Sequence, residues 1–183
     1  YQWDPLPSLS GCEIINRGIP GDTTSRSLLR IENDLVSLKP DLVIIEIGIN
    51  DLNSIGFLPE LENYITENCK KNLTQMIDIL NTRKIRTLFL SIYPVSSVPC
   101  YRLPFWSEKI RAYVNEVNAY LLQQNSQYVK VVDCNKIFLS DDKMKKEYAL
   151  DMLHLNRSAY MRLNDFITPY LPVEKNNYGR GSN

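Results

Sequence analysis

Short, nearly continuous apolar runs alternate along the sequence with longer segments in which apolar residues recur every three or four positions. The continuous runs predict strands buried on both faces, and the recurring spacing predicts amphipathic helices. The alternation predicts an α/β fold in which right-handed crossovers connect the strands of a parallel sheet. The predicted strands cover residues 13–17, 42–48, 86–93 and 128–133. The first predicted helix begins at a cap, which is Thr23, Thr24 or Ser25, and continues until Pro40. Three more helices are predicted over residues 60–82, 108–124 and 158–170.

Polar and turn-forming residues predict loops between these elements. Loops are expected over residues 49–56 and 94–106, and residues 141–146 form a polar run expected to be solvated. The length of 183 residues suits one domain, which we place at residues 1–172. Residues 173–183 are rich in Asn and Gly and predict a disordered tail.

Charge and cysteine content exclude several classes of function. The 21 basic and 21 acidic residues cancel, so no basic field favours nucleic acid, and no apolar run approaches a membrane span. The four cysteines form no CxxC pair, so neither a metal nor another cofactor is expected. Free cysteines and the lack of a signal-like segment predict a cytoplasmic location. The oligomeric state stays open, with a homodimer among the alternatives.

Candidate chemistry lies just after the predicted strands, where parallel sheets bind their ligands. His154 is the only histidine, so any imidazole general base must be this residue. Asp151 precedes it by three positions and can accept a hydrogen bond from the ring, which would fix its tautomer. The alternative is that Asp-x-x-His is an ordinary helix-entry turn capped by Asp151.

Two further residues could stabilise negative charge on a ligand. Asn50 follows a strand end and can donate from its amide to an oxyanion, although Asn-Asp here also fits an Asx turn. Gly21 precedes a helix, and its backbone N–H can approach a ligand closely, unless it is only a turn glycine. The loop lacks the Walker and G-x-G-x-x-G spacings, which disfavours a nucleotide- or flavin-binding domain.

Three segments resemble motifs of the SGNH (GDSL-type) hydrolases, including esterases similar to platelet-activating-factor acetylhydrolase. They are Asn-Arg-Gly-Ile-Pro-Gly-Asp-Thr-Thr from Asn16, Gly-Ile-Asn-Asp from Gly48, and Asp-Met-Leu-His-Leu from Asp151. The resemblance runs from Trp3 to about Leu171. It implies a three-layer α/β/α sandwich with a flavodoxin-like parallel sheet. It also implies that Gly21 N–H and Asn50 are oxyanion donors, that His154 is the general base and that Asp151 orients it.

The family's Gly-Asp-Ser block, which carries the nucleophile, is absent from this sequence. Trp3 matches a Trp that follows this block in family members, so we expect the serine a few residues before Tyr1. Ser8 and Ser10 are poor substitutes, because they lie in a Pro-containing segment rather than on a strand-to-helix turn. In the family, the strand before Gly-Asp-Ser is an inner strand of the sheet. We therefore expect the protein to contain this strand, either upstream of Tyr1 or donated by another chain.

The resemblance predicts a serine ester hydrolase that acts on a small-molecule ester with a short acyl or acetyl group, carried by a lipid or a sugar. The alternative is a catalytically silent binding or interaction module that has lost its nucleophile. Four apolar residues of the 94–106 loop either line an apolar pocket or lid, or simply dock on the domain surface. They are Tyr101, Leu103, Phe105 and Trp106.

Overall fold

The computed structural model describes residues 13–171. The predictions that concern Trp3, Ser8, Ser10, the upstream strand and the tail over residues 173–183 lie outside the described residues. The helices are α1 (Thr24–Leu38), α2 (Ile49–Asn53), α3 (Glu62–Thr82), α4 (Lys109–Leu122), α5 (Asn135–Phe138) and α6 (Arg157–Ile167). The strands are β1 (Val43–Ile45), β2 (Thr87–Leu90), β3 (Val129–Val132), β4 (Leu139–Ser140) and β5 (Lys143–Met144). Short 3₁₀ turns cover Ser54–Gly56, Pro59–Leu61, Cys100–Phe105, Lys146–Tyr148 and Thr168–Tyr170.

A parallel sheet forms the centre of the fold, with β2 between β1 and β3. Ile44 of β1 is opposite Leu88 of β2, and Leu88 is opposite Lys130 of β3. The crossover from β1 to β2 contains α2 and the long helix α3, and the crossover from β2 to β3 contains α4. The predicted alternation of helices with parallel strands is therefore confirmed.

The side chains of the sheet alternate between two apolar cores, one on each face. Phe89 packs in a core with α1, α3 and α4, whereas its neighbours Leu88 and Leu90 pack in a second core with α5 and α6. This alternation follows from the two-residue period of a strand. Two cores separated by one sheet make three layers, so the α/β/α sandwich is confirmed.

The prediction of a strand over residues 13–17 is wrong. This segment is irregular, and Ile14 and Ile15 are 44% and 49% exposed. A strand exists only where a neighbour supplies ladder hydrogen bonds, and among residues 13–171 β1 pairs on one side only, with β2. The side chains of β1 are half-buried, whereas all four residues of β2 are buried.

Two predicted loops contain regular structure. Residues 49–56 form α2 and a 3₁₀ turn rather than a loop, and Leu52 and Ile55 are fully buried there. The run over residues 141–146 is not wholly solvated, because β4 and β5 form a hairpin that buries Met144. Asp141 and Asp142 occupy its turn with φ of 47° and 61°, which suits a tight two-residue connection.

Candidate active site

Asp151 and His154 form a hydrogen-bonded pair within one turn. The imidazole Nδ1 lies 2.8 Å from Oδ2 and 3.0 Å from Oδ1 of Asp151. The backbone N–H groups of Leu153 and His154 donate to Oδ1 at 2.8 and 2.9 Å. The imidazole is 66% exposed, so the ring is open to a ligand.

The contacts of Asp151 fix its charge state and the tautomer of its partner. Partial burial opposes ionisation, but the backbone N–H groups and the imidazole together hold the pKa of Asp151 below its usual value. An ionised carboxylate only accepts hydrogen bonds, so the hydrogen-bond network assigns the ring proton to Nδ1 of His154. Nε2 is then the nitrogen with a free lone pair.

The turn that carries this pair is anchored at both ends. Leu150 N–H donates to the carbonyl of His154 at 2.8 Å, and Leu155 is almost completely buried. The carbonyl of Met152 accepts from Ser96 N–H at 2.9 Å. Ser96 lies on the segment that follows β2, so the turn sits beyond the carboxyl end of that strand.

A second hydrogen bond joins Asn50 to Asp22, the residue that follows Gly21. Asn50 lies in α2, which begins directly beyond β1, and its Nδ2 donates to the carbonyl of Asp22 at 2.9 Å. This bond uses one of the two amide protons and leaves the other for a ligand. Gly21 has a φ of 75°, and a Cβ placed there would have no atom of residues 13–171 within 4 Å.

A buried polar network supports the loop that contains Gly21. Asp51 accepts from the backbone N–H and the hydroxyl of Thr24 at 2.9 and 2.5 Å, and Asn72 donates to that hydroxyl at 3.0 Å. Burial raises the pKa of Asp51 despite these donors. The supporting roles of Thr24 and Asn72 were not predicted from the sequence. A polar residue beside buried Leu73 on the apolar face of α3 was a usable signal for Asn72.

The apolar loop residues divide into two groups. Trp106 is half-buried and packs on the core, whereas Tyr101, Leu103 and Phe105 are 76%, 52% and 52% exposed. The ring of Phe105 stacks on that of Phe57, with centroids 5.6 Å apart. The 94–106 loop and the exposed segment around Phe57, two exposed apolar loops, therefore meet at this aromatic pair.

Within residues 13–171, no group of three or more His, Cys, Asp or Glu side chains is placed to hold a metal ion. No helix in the same range is long and apolar enough to cross a membrane.

Residues 3–162 match the GDSL-like lipase/acylhydrolase family. The chain belongs to this family. A GDSL-like lipase from Bacteroides thetaiotaomicron has the same fold, with a TM-score of 0.66 and 24% identity over 85% of this chain and 74% of that one. Membership makes this chain part of a family of hydrolases, and the resemblance drawn from its motifs is confirmed.

Two relatives match this GDSL-like chain over short segments. An acetylxylan esterase of Geobacillus stearothermophilus is 38% identical over 60 residues, which are 31% of this chain and 27% of that protein. An arylesterase of Vibrio mimicus is 42% identical over 65 residues, which are 36% of this chain and 30% of that protein. The matched segments thus span less than a third of the length of either relative.

Proposed function

We propose that this chain forms most of a serine ester hydrolase in which His154 is the general base and Asp151 orients it. Gly21 N–H and the Asn50 amide would be the oxyanion donors. The observation that carries the proposal is the Asp151–His154 pair, because its hydrogen bonds leave Nε2 free on an exposed ring. The donor pair supports it, since Asn50 lies beyond the carboxyl end of β1 and the Asp151–His154 turn lies beyond that of the neighbouring strand β2.

The reaction has two halves, each with balanced proton transfer. Nε2 of His154 takes the proton of the serine hydroxyl as the serine oxygen attacks the ester carbonyl. The tetrahedral oxyanion accepts from Gly21 and Asn50, and the imidazolium then protonates the leaving alcohol. In the second half His154 deprotonates water, which attacks the acyl-serine, and the proton returns to the serine as the acid leaves.

The nucleophilic serine is proposed to lie on the turn that ends a strand, and this strand would pair with the edge of β1 that is unpaired within residues 13–171. Three observations support this position: β1 is only half-buried, β2 is fully buried, and Ile14 and Ile15 are exposed nearby in sequence. A strand at this edge would satisfy the ladder groups of β1 and end at the same edge as Gly48.

For the substrate, we propose a short acyl or acetyl ester of a sugar or a lipid. The acetylxylan esterase that matches part of this chain supports an acetylated sugar. The arylesterase supports a small acyl group on an apolar alcohol. Nitrophenyl acetate, butyrate and octanoate assayed beside an acetylated xylan would separate these alternatives by their kcat/KM.

The experiment that tests the function is labelling of the full-length protein with an organophosphonate, followed by intact-mass measurement. We expect one adduct on a serine, and its loss when His154 is replaced by Ala. A protein that forms no adduct and hydrolyses none of these esters would instead be the catalytically silent module, which the absence of Gly-Asp-Ser from this sequence also fits.

A further inference from the structure

Residues 91–96 follow β2 as a buried segment with no regular structure. A buried backbone outside a helix or sheet must find other partners for its N–H and C=O groups. Here two side chains of α4 supply several of them. Asn118, which is 2% exposed, accepts from Ile92 N–H and donates to the Ile92 carbonyl, both at 2.8 Å.

Arg111 binds the far end of the same segment. Its Nη1 donates to the carbonyl of Val95 at 2.6 Å, and its Nη2 donates to the carbonyl of Ser96 at 2.7 Å. The side chain is 10% exposed, and its Nε reaches the exposed carboxylate of Glu108 at 3.1 Å. A planar guanidinium can hold two carbonyls at once in a fixed geometry, which an ammonium cannot do.

The segment held by Arg111 is the one that holds the turn of the Asp151–His154 pair. Ser96 accepts from Arg111 through its carbonyl and donates through its N–H to the carbonyl of Met152, between Asp151 and His154. Ser96 therefore connects the Arg111 guanidinium directly to the turn that carries Asp151 and His154. The Asp151–His154 contacts are local to the turn, so they fix the ring within the turn but do not fix the turn on the sheet.

We infer that Arg111 is a positioning residue for this site: it fixes residues 95 and 96, and through the Ser96–Met152 hydrogen bond it sets where the His154 ring lies relative to the oxyanion donors. This inference rests on the proposed function. The guanidinium touches neither substrate nor the reacting atoms, so its effect is on alignment rather than on chemistry.

The test compares Arg111→Met and Arg111→Lys with the parent in the full-length protein. Arg111→Met keeps the length of the side chain without its donors, and Arg111→Lys keeps the charge but can hold one carbonyl at a time. We expect kcat on nitrophenyl acetate to fall about 10- to 100-fold with KM changed less than about twofold, because a misplaced base slows the chemical step. Lys109→Met is the matched control on α4, since Lys109 bonds to Glu62 at the surface and does not contact the segment.

Three further measurements separate positioning from general loss of structure. Amide hydrogen exchange at Ser96 should accelerate about tenfold or more in both Arg111 variants and stay unchanged in the control. The ¹⁵N shifts of the single histidine should keep the Nδ1–H tautomer, because its bond to Asp151 is local. In Arg111→Ala, added guanidinium should restore part of kcat. If Arg111→Met does not fold, the inference is tested by Arg111→Lys and by the guanidinium rescue of Arg111→Ala.

The inference would be overturned if the amide hydrogen-exchange rate of Ser96 stayed unchanged in the Arg111 variants. It would also be overturned if that rate rose while kcat stayed unchanged. A parent protein with no esterase activity would instead refute the proposed function. In that case the exchange data alone would still decide whether Arg111 fixes the Met152 peptide.

Discussion

Asn50 and Asp22 are joined by a hydrogen bond of 2.9 Å from the side-chain amide to a backbone carbonyl. The bond ties the amide of Asn50 to the Asp22–Thr23 peptide, one residue beyond Gly21 in the loop that precedes α1. A hydrogen bond of this kind also fixes the rotamer of Asn50 before any ligand arrives. Because such donors are already oriented, rearranging them costs little free energy when negative charge develops on a substrate oxygen.

Replacing Asn50 by Ala should lower kcat by about two to three decades, because the proposed oxyanion site would lose one preorganised donor. KM should change little, since the oxyanion exists only in the transition state. Asn50→Asp is a stricter second variant, because it retains the size of the side chain but presents a hydrogen-bond acceptor to the developing negative charge. Steady-state hydrolysis of nitrophenyl acetate measures both, and parental activity in Asn50→Ala would remove Asn50 from the site.

Replacing Asp151 by Asn should lower kcat by about 10⁴-fold, as expected when a histidine loses the carboxylate that fixes its tautomer. Structure should be retained, because the amide oxygen can still accept from the backbone N–H groups of Leu153 and His154. The imidazole ¹⁵N shifts of the variant should show a mixed population of tautomers. A variant with parental kcat, or with an unchanged tautomer, would contradict the orienting role.

Replacing Gly56 by Ala should disrupt the contact between the two exposed apolar loops. An added Cβ would lie 2.2 Å from the carbonyl oxygen of Phe105, and a backbone atom cannot move aside cheaply. We expect the free energy of unfolding to fall by about 1–3 kcal/mol, together with loss of the Phe57–Phe105 stacking. Gly18→Ala is the control, since its Cβ would meet only the Asn16 side chain at 3.1 Å. Urea denaturation of both variants measures the difference, and equal losses would refute this account.

Asp22 should make folding stability depend on pH in the acid range. Burial opposes its ionisation, but the Ser27 hydroxyl and the Arg30 and Arg26 guanidinium groups outweigh it, so the pKa of Asp22 falls below the reference of 3.8. A lowered folded-state pKa means that the stabilisation is complete above the unfolded pKa and is lost as pH falls through the folded one. Asp22→Asn should cost about 1–3 kcal/mol at pH 7, and this cost should shrink as the pH falls below 3.8 and through the lower folded-state pKa. Thermal unfolding of the parent and of Asp22→Asn, measured from pH 7 into the acid range, should show the two stabilities converging. Parallel curves of stability against pH would exclude the effect.

The sequence predicted the elements that carry their own periodic signal. The helix ending before Pro40 is found as α1, and the run from Thr87 to Leu90 is a buried strand. The Ile14–Ile15 strand was wrong because a strand depends on its neighbour, which local periodicity does not reveal. The Asp151–His154 contact was foreseeable from a spacing of three residues.

The supports of the site were harder to foresee because they join residues far apart in sequence. Asn72 meets Thr24 across 48 positions, and Arg111 meets Ser96 across 15. Each is a polar residue within an otherwise apolar helix face, such as Ile110, Val114 and Val117 around Arg111. That pattern marks a buried polar contact, but only the packing of the helix on the 91–96 segment identifies the partner.

The open side of β1 has a consequence for handling the protein. In the described part of the chain, this strand presents unpaired N–H and C=O groups beside half-buried aliphatic side chains. Such an edge is a template for intermolecular strand pairing. The 183 residues expressed alone should therefore self-associate as concentration rises, and light scattering should detect it. A peptide of alternating β-branched residues that occupies the edge should suppress the association, whereas concentration-independent monomers would show that the edge is already covered.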